Sequence, residues 1–175
     1  QDADGIMGLQ PPRARARVPS VLTSLVQGEH ASNAFSLCLA DTKGLFLLGG
    51  KPDLVKMRAH GALTLGTVGG AKARYTLALR EIKVSGAGAQ NGTFKSLNLP
   101  PSTYAPTLVD SGTTFVYAST PLYRALHTHL HSQTPSLQRE GGKVCAYLSE
   151  AQKQSMPSLQ FVFSNGARPL LVRPQ

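Results

Sequence analysis

Apolar and polar positions alternate along the chain in short runs, broken at close intervals by Gly, Pro and Asn, a rhythm that predicts a mostly β protein. Strands are expected at Ala34–Leu39 (AFSLCL), Leu45–Leu48 (LFLL, closed by Gly49 and Gly50), Ala62–Leu65, Thr107–Val109 and Leu159–Phe163. In RYTLALREIKV the apolar positions Tyr75, Leu77 and Leu79 alternate, and Ile82 and Val84 alternate again after a slip at Arg80 and Glu81. A slip of that kind marks a turn or a β-bulge. Two segments switch to helical spacing. VPSVLTSLVQG places Val18, Val21, Leu22, Leu25 and Val26 on one face, with Pro19 near its start and Gly28 at its end. PLYRALHTHLHS places Leu122, Leu126 and Leu130 on one face, with Ser119 or Thr120 as the cap. AQKQSMP is too short to assign from periodicity.

With 175 residues and 41% hydrophobic content the chain can bury a core, either as one domain or as parts of two. No apolar run approaches the roughly 20 residues that a membrane-spanning helix needs. The chain opens on Gln1, and DADGIMGL reads as core motif with no charged leader before it, so the expectation is a segment cut at its start. The formal charge of +9 is spread between Arg13 and Arg173. Its compact group, Arg13, Arg15 and Arg17 in PPRARAR, reads as a solvated loop, and three charges give only weak, salt-sensitive attraction to a polyanion. Nucleic acid is therefore not an expected partner.

The residue that most invites chemistry is Asp110 in TLVDSGTTFVYASTPLYRAL. It follows the apolar Leu108 and Val109 and precedes Ser111, Gly112, Thr113 and Thr114, which bring hydroxyls and backbone N–H groups close to the carboxylate. Donors of that kind favour the ionised form and fix its orientation. The plainer reading is an Asx turn or cap at a strand end. His127 and His131 sit one helical turn apart, with His129 between them, but without a third ligand they read as a helix face and not as a metal site. GTVGGAK has the glycines of a phosphate loop without its Gly-Lys-Ser/Thr order, and reads as an exposed turn. Asn91-Gly92-Thr93 is an N-glycosylation acceptor triplet in a polar loop. Cys38 and Cys145 allow one internal disulfide, bonds to partners elsewhere, or two buried thiols.

VDSGTT resembles the second catalytic motif of the pepsin-like aspartic proteases, an apolar pair followed by Asp-Ser/Thr-Gly-Thr/Ser. Further segments resemble that family in the same order. DADGIMGL is similar to its Asp-Gly-Ile-Leu-Gly-Leu segment late in the amino-terminal lobe, and VPSVLTSLVQ to the helix that follows. NAFSLCLADTKGLFLLGGKPD is similar to its Phe-Ser strand and Leu-Gly-Gly-x-Asp turn, ARYTLALREIKVSG to the strand pair opening the carboxy-terminal lobe, and FVYASTPLYRAL to the helix after the second aspartate. The resemblance runs from Ala3 to Val172, in the manner of the β-secretase-like and the plant or algal branches.

The resemblance implies a mostly β, partial pepsin-like bilobal fold. Residues 1–60 would be the end of the N-terminal lobe with the interlobe connection, and residues 61–175 the first part of the C-terminal lobe. It implies an aspartic endopeptidase that needs no metal or organic cofactor, acts on peptide or protein substrates as a monomer, and follows the secretory route, whether secreted, vacuolar or lysosomal, or held in a lumen by a membrane anchor outside this segment. Asp110 would be one half of a catalytic dyad. Ser111 would supply the hydroxyl of the hydrogen bonds that lock the lobes, Gly112 an N–H to the inner carboxylate oxygen, Thr113 a side chain to the outer oxygen, and Thr114 would line the cleft. Ile6, Met7 and Gly8 resemble the apolar-apolar-Gly segment threaded past the first lobe's aspartate. Cys38 and Cys145 resemble half-cystines with downstream partners.

The other aspartates, Asp2, Asp4, Asp41 and Asp53, lack a following Ser-Gly or Thr-Gly. The chain thus holds one catalytic aspartate of two and is expected to be a fragment, inactive alone. Two rivals remain: a catalytically dead relative that binds or inhibits another protein, and a retroviral-type homodimer. The dimer plan needs an apolar-apolar-Gly segment after the aspartate, and none that convinces lies between Ser111 and Gln175.

Overall fold

The structure is a computed structural model that describes residues 4–11, 18–39, 44–50, 68–69, 74–86, 88, 92–133, 138–140, 143–145, 148–164 and 168–174. The strand expected at Ala62–Leu65, Arg13, Arg15 and Arg17, most of GTVGGAK, and Asn91 lie outside these residues. The chain divides into two compact units, one formed by Gln1–Leu63 with Gly69–Tyr75 and the other by Thr64–Val68 with Thr76–Gln175.

In the first unit, helix α1 spans Val21–Gln27. Ser20 caps it, its hydroxyl accepting from the Thr23 N–H at 3.1 Å, which satisfies one of the donors a helix start leaves unpaired. Of the face expected from spacing only Leu22 is buried, while Val18 and Val21 are exposed. The helix ends at Gly28, yet the left-handed residue is Glu29, at φ 59°. Gly28 instead leaves room for the His30 ring, which a Cβ there would approach to 2.9 Å. Strands β1 (Phe35–Cys38) and β2 (Leu45–Leu48) pair antiparallel, Phe35 opposite Leu48 and Cys38 opposite Leu45. Gly49 turns the chain at φ 71°, where a Cβ would meet that of Ala31 at 2.9 Å. Phe35 packs edge-on against Tyr75 at 5.7 Å, and the Tyr75 hydroxyl donates to the Leu9 carbonyl at 3.0 Å.

β3 is a two-residue strand at Val68–Gly69, where the two units meet in sequence. The second unit is built on β4 (Thr76–Leu77), β5 (Leu79–Val84), β6 (Lys95–Ser96), a short 3-10 helix at Pro101–Tyr104, β7 (Thr107–Leu108), α2 (Thr120–Gln133), β8 (Gln138–Glu140), β9 (Lys143–Cys145), α3 (Glu150–Ser155), β10 (Leu159–Phe163) and β11 (Leu170–Val172). One sheet runs in the order β11-β10-β5-β6. The slip expected near Arg80 is a bulge. Glu81 faces Val162 and Leu79 faces Phe163, leaving Arg80 with no opposite residue. The extra residue lets Leu79 and Ile82, three apart in sequence, both point inward. They form the core with Tyr104 and Leu122, flanked by Leu97, Leu99, Ala118, Leu126, Phe161 and Phe163. Burying side chains of this size stabilises the fold by about 1.5–3 kcal/mol each.

α3, left unassigned by periodicity, starts with a capping box. The Ser149 hydroxyl accepts from the Gln152 N–H, and the Gln152 side chain accepts from the Ser149 N–H at 2.8 Å. The mostly β architecture with a few helices is that of a partial pepsin-like lobe. Among the described residues no helix is long and apolar enough to cross a membrane.

Candidate active site

Asp110 stands two residues beyond β7, whose two residues are held antiparallel against β4, Leu108 facing Thr76 and Thr107 facing Leu77. Past Leu108 the ladder ends and the chain folds into a tight turn, the Asp110 carbonyl accepting from the Thr113 N–H at 3.3 Å. That turn brings two donors back to the side chain. The Gly112 N–H donates to Oδ1 at 3.0 Å, and the Thr113 hydroxyl donates to Oδ2 at 2.6 Å. Each carboxylate oxygen therefore has its own donor, and the plane of the group is fixed by its own loop. A Cβ at position 112 would sit 3.3 Å from Asp110 Oδ1, a tight contact that would press on the carboxylate.

The Thr113 hydroxyl, followed by the Gly112 N–H, holds the Asp110 carboxyl below its ordinary carboxylate value, against a small opposing effect of burial. Both bonds favour the ionised form. The arrangement is the Asx turn of the plainer reading, and the same bonds fix the orientation of the carboxylate.

Ser111 and Thr114 are exposed and take no part in these bonds. Around the turn, Leu108, Val109 and Phe115 are about half exposed, and Val116 and Tyr117 are 89% and 82% exposed. The carboxylate is thus bordered by apolar side chains facing water, an arrangement more typical of a contact surface than of a strand end. After Tyr117 the chain returns to the core through Ala118 and Leu122 and enters α2. Ser119 does not cap that helix with its side chain as expected. Its hydroxyl donates to the Thr103 carbonyl at 3.1 Å, while its own carbonyl accepts from the Tyr123 N–H.

The remaining sequence candidates fall elsewhere. Ile6, Met7 and Gly8 lie in the first unit in a segment without regular secondary structure, exposed, with Ile6 fully so. Cys38 is an exposed free thiol, which corrects two expectations at once: it is neither a buried thiol nor joined to Cys145 in a disulfide. Its place in β1, opposite Leu45 on a two-stranded sheet, leaves it open to solvent. Cys145 ends β9, opposite Gln138. The histidines do more than face solvent. Tyr123, His127 and His131 stack in series, ring centres 5.9 and 5.7 Å apart, because residues four apart on a helix lie over one another. His129 points away from that stack to Gln133, 2.6 Å from its Nε2. Among the described residues no three His, Cys, Asp or Glu side chains converge as a metal site.

Comparison with known proteins adds one match. The sequence model of the family described as eukaryotic aspartyl protease aligns with residues 1–172. No curated protein matches the chain.

Proposed function

The chain belongs to the eukaryotic aspartyl protease family, and from that premise we propose that it is the Asp110-bearing part of a pepsin-like endopeptidase. Family membership supports aspartic-type peptidase activity on peptide or protein substrates in general. The observation that carries the assignment to Asp110 is the pair of donors on its separate oxygens within the Asp-Ser-Gly-Thr-Thr turn.

In this reading Asp110 shares one proton with a second carboxylate across a bound water. One carboxylate accepts the water's proton as its oxygen attacks the scissile carbonyl carbon. The other, protonated, donates a hydrogen bond to the carbonyl oxygen and the proton passes to the departing amine as the tetrahedral intermediate collapses. Like charges a few ångströms apart cannot both ionise easily, so the pair titrates as a unit. The donors on Asp110 equip it to hold the negative charge of that unit under acid conditions. The exposed side chains of Val109, Phe115, Val116 and Tyr117 give apolar contact for residues flanking the cleaved bond.

Asp110 is the one aspartate of the sequence followed by Ser-Gly or Thr-Gly, so the second carboxylate belongs to residues outside this sequence, in the other lobe of the parent protein. Ser111 then joins the hydrogen bonds between lobes, Thr114 lines the cleft, and Ile6-Met7-Gly8 supports the first lobe's aspartate. The parent works as a monomer of the secretory route in the β-secretase-like or plant manner. Cys38, exposed here, and Cys145 form disulfides with cysteines of the parent that lie outside this sequence.

The test is cleavage of a peptide library at acid pH by the full-length parent, with and without Asp110→Asn. Loss of cleavage in the variant supports the assignment. Equal cleavage by both proteins rules Asp110 out, and an inactive parent lacking an Asp-Thr/Ser-Gly motif upstream of Gln1 favours a binding or inhibitory relative.

A further inference from the structure

The turn that carries Asp110 is fully exposed, and its own hydrogen bonds fix the carboxylate relative to the turn without fixing the turn relative to the fold. That second task falls to the two stems, residues 107–109 on the way in and 116–119 on the way out. Both stems meet the same short 3-10 helix, Pro101–Tyr104. On the entering side the Thr107 hydroxyl donates to the Tyr104 carbonyl. On the leaving side the Ser119 hydroxyl donates to the Thr103 carbonyl at 3.1 Å. Two adjacent carbonyls of one short helix thus receive the two ends of the loop.

The short helix is itself immobilised. Tyr104 is 3% exposed and lies in the core with Leu79, Ile82 and Leu122. The helix closes internally through Thr103 N–H to Pro100 carbonyl at 2.9 Å, and prolines at 100 and 101 stiffen its entry. Leu122, the third residue of α2, is a member of the same core, so Ser119 is tied to the helix on one side and leads into a buried anchor on the other.

We propose that Thr107 and Ser119 are positioning residues for Asp110, acting as a two-point clamp that fixes the stems of its loop to the Pro101–Tyr104 helix. Neither touches the carboxylate, and neither belongs to the Asp-Ser-Gly-Thr-Thr turn. The clamp stands on the hydrogen bonds of the structure. Only its consequence for the rate rests on the reading of Asp110 as a catalytic residue. An intramolecular hydrogen bond is worth only about 0.5–1.5 kcal/mol net, so the exposed Ser119 bond is dispensable for folding, while the Thr107 bond ends on the carbonyl of the buried Tyr104. Catalysis is less forgiving, because a displacement of about 1 Å at a reacting group can cost up to 100-fold in rate.

The experiment follows the Asp110 carboxyl by carbon-13 NMR titration in this chain, in Ser119→Ala, in Thr107→Val and in the conservative variants Ser119→Thr and Thr107→Ser. With the clamp released, the turn moves as a body relative to the core while Gly112 and Thr113 keep their bonds to the carboxylate. The expected result is broadened resonances for residues 109–118 in Ser119→Ala and Thr107→Val with the Asp110 midpoint unmoved, and native line widths restored in the conservative pair. In the full-length parent the same two variants lower kcat by about tenfold with little change in KM. Native line widths for residues 109–118 in both hydroxyl deletions overturn the clamp. If Thr107→Val does not fold, Ser119→Ala, whose hydroxyl is at the surface, decides the matter alone. The NMR arm needs no enzymatic activity, so failure of the clamp is distinguishable from failure of the catalytic assignment, which Asp110→Asn tests.

Discussion

The core around Ile82 and the turn around Asp110 are neighbours in one unit and are held by opposite means. Leu79, Ile82, Tyr104 and Leu122 are removed from water and make almost no use of hydrogen bonds between side chains. Asp110, Gly112, Thr113 and Ser119 are all exposed, and side-chain hydrogen bonds fix their geometry. Burial is non-directional and stabilises many arrangements of similar volume. Hydrogen bonds contribute little net energy but specify distance and angle. A fold can therefore draw its stability from one region and the precision of its site from another.

Mutations that should move one property and spare the other test this division. The largest separation is expected from Asp110→Asn. Cleavage by the full-length parent should fall on the order of 10³-fold or more, while the thermal midpoint at neutral pH stays close to native, because no buried contact changes. A large fall in the midpoint would show that the turn contributes far more to stability than the bonds of one exposed carboxylate. Ile82→Ala is the reverse case. Loss of this 3% exposed side chain should cost about 2–5 kcal/mol by denaturant titration, with the Asp110 midpoint unmoved in whatever fraction remains folded.

Thr113→Val removes the strongest influence on the Asp110 carboxyl, so its midpoint should rise toward the ordinary carboxylate value in an NMR titration. The sign for stability follows. A depressed folded-state midpoint stabilises the fold above the unfolded-state value, and that contribution disappears as pH falls through the folded midpoint. The variant should thus lose stability relative to native near neutral pH and match it in strong acid. The opposite order would mean that Thr113 opposes ionisation. The smallest effect is expected from Ser149→Ala, which removes the cap of α3, belongs to neither the core cluster nor the Asp110 turn, and should cost about 1 kcal/mol with no change at Asp110.

What the sequence made legible divides along the same line. Strands β2 and β10 lie where the apolar runs place them, and the irregular alternation at Arg80 marked the bulge, because burial imprints a period on the chain. Asp110, Gly112 and Thr113 were legible since they bond within four residues. The Ser119 contact was not. A hydroxyl meeting a carbonyl sixteen residues away leaves no periodic trace, and Ser119 reads equally well as a helix cap. The start of α3 did carry a signal in Ser149-Glu150-Ala151-Gln152, the spacing of a capping box, although its apolar pattern was too brief to register. Gly28 reads as a left-handed helix stop, but the left-handed residue is Glu29 and the His30 ring lies against Gly28.

The bulge at Arg80 also sets a direction. Leu79 and Glu81 already face consecutive residues of β10, so removing Arg80 would keep their partners and leave Leu79, Ile82 and Val84 facing inward on an unbroken strand. What it would take away is the bend and added twist that a bulge gives its strand. The chain just before the bulge is β4, the strand against which β7 aligns just before Asp110. One unpaired arginine, remote in sequence from the aspartate, thus aims the strand beside it, and a deletion that spares every core residue and every pairing of β5 with β10 would still turn β4 to a new heading.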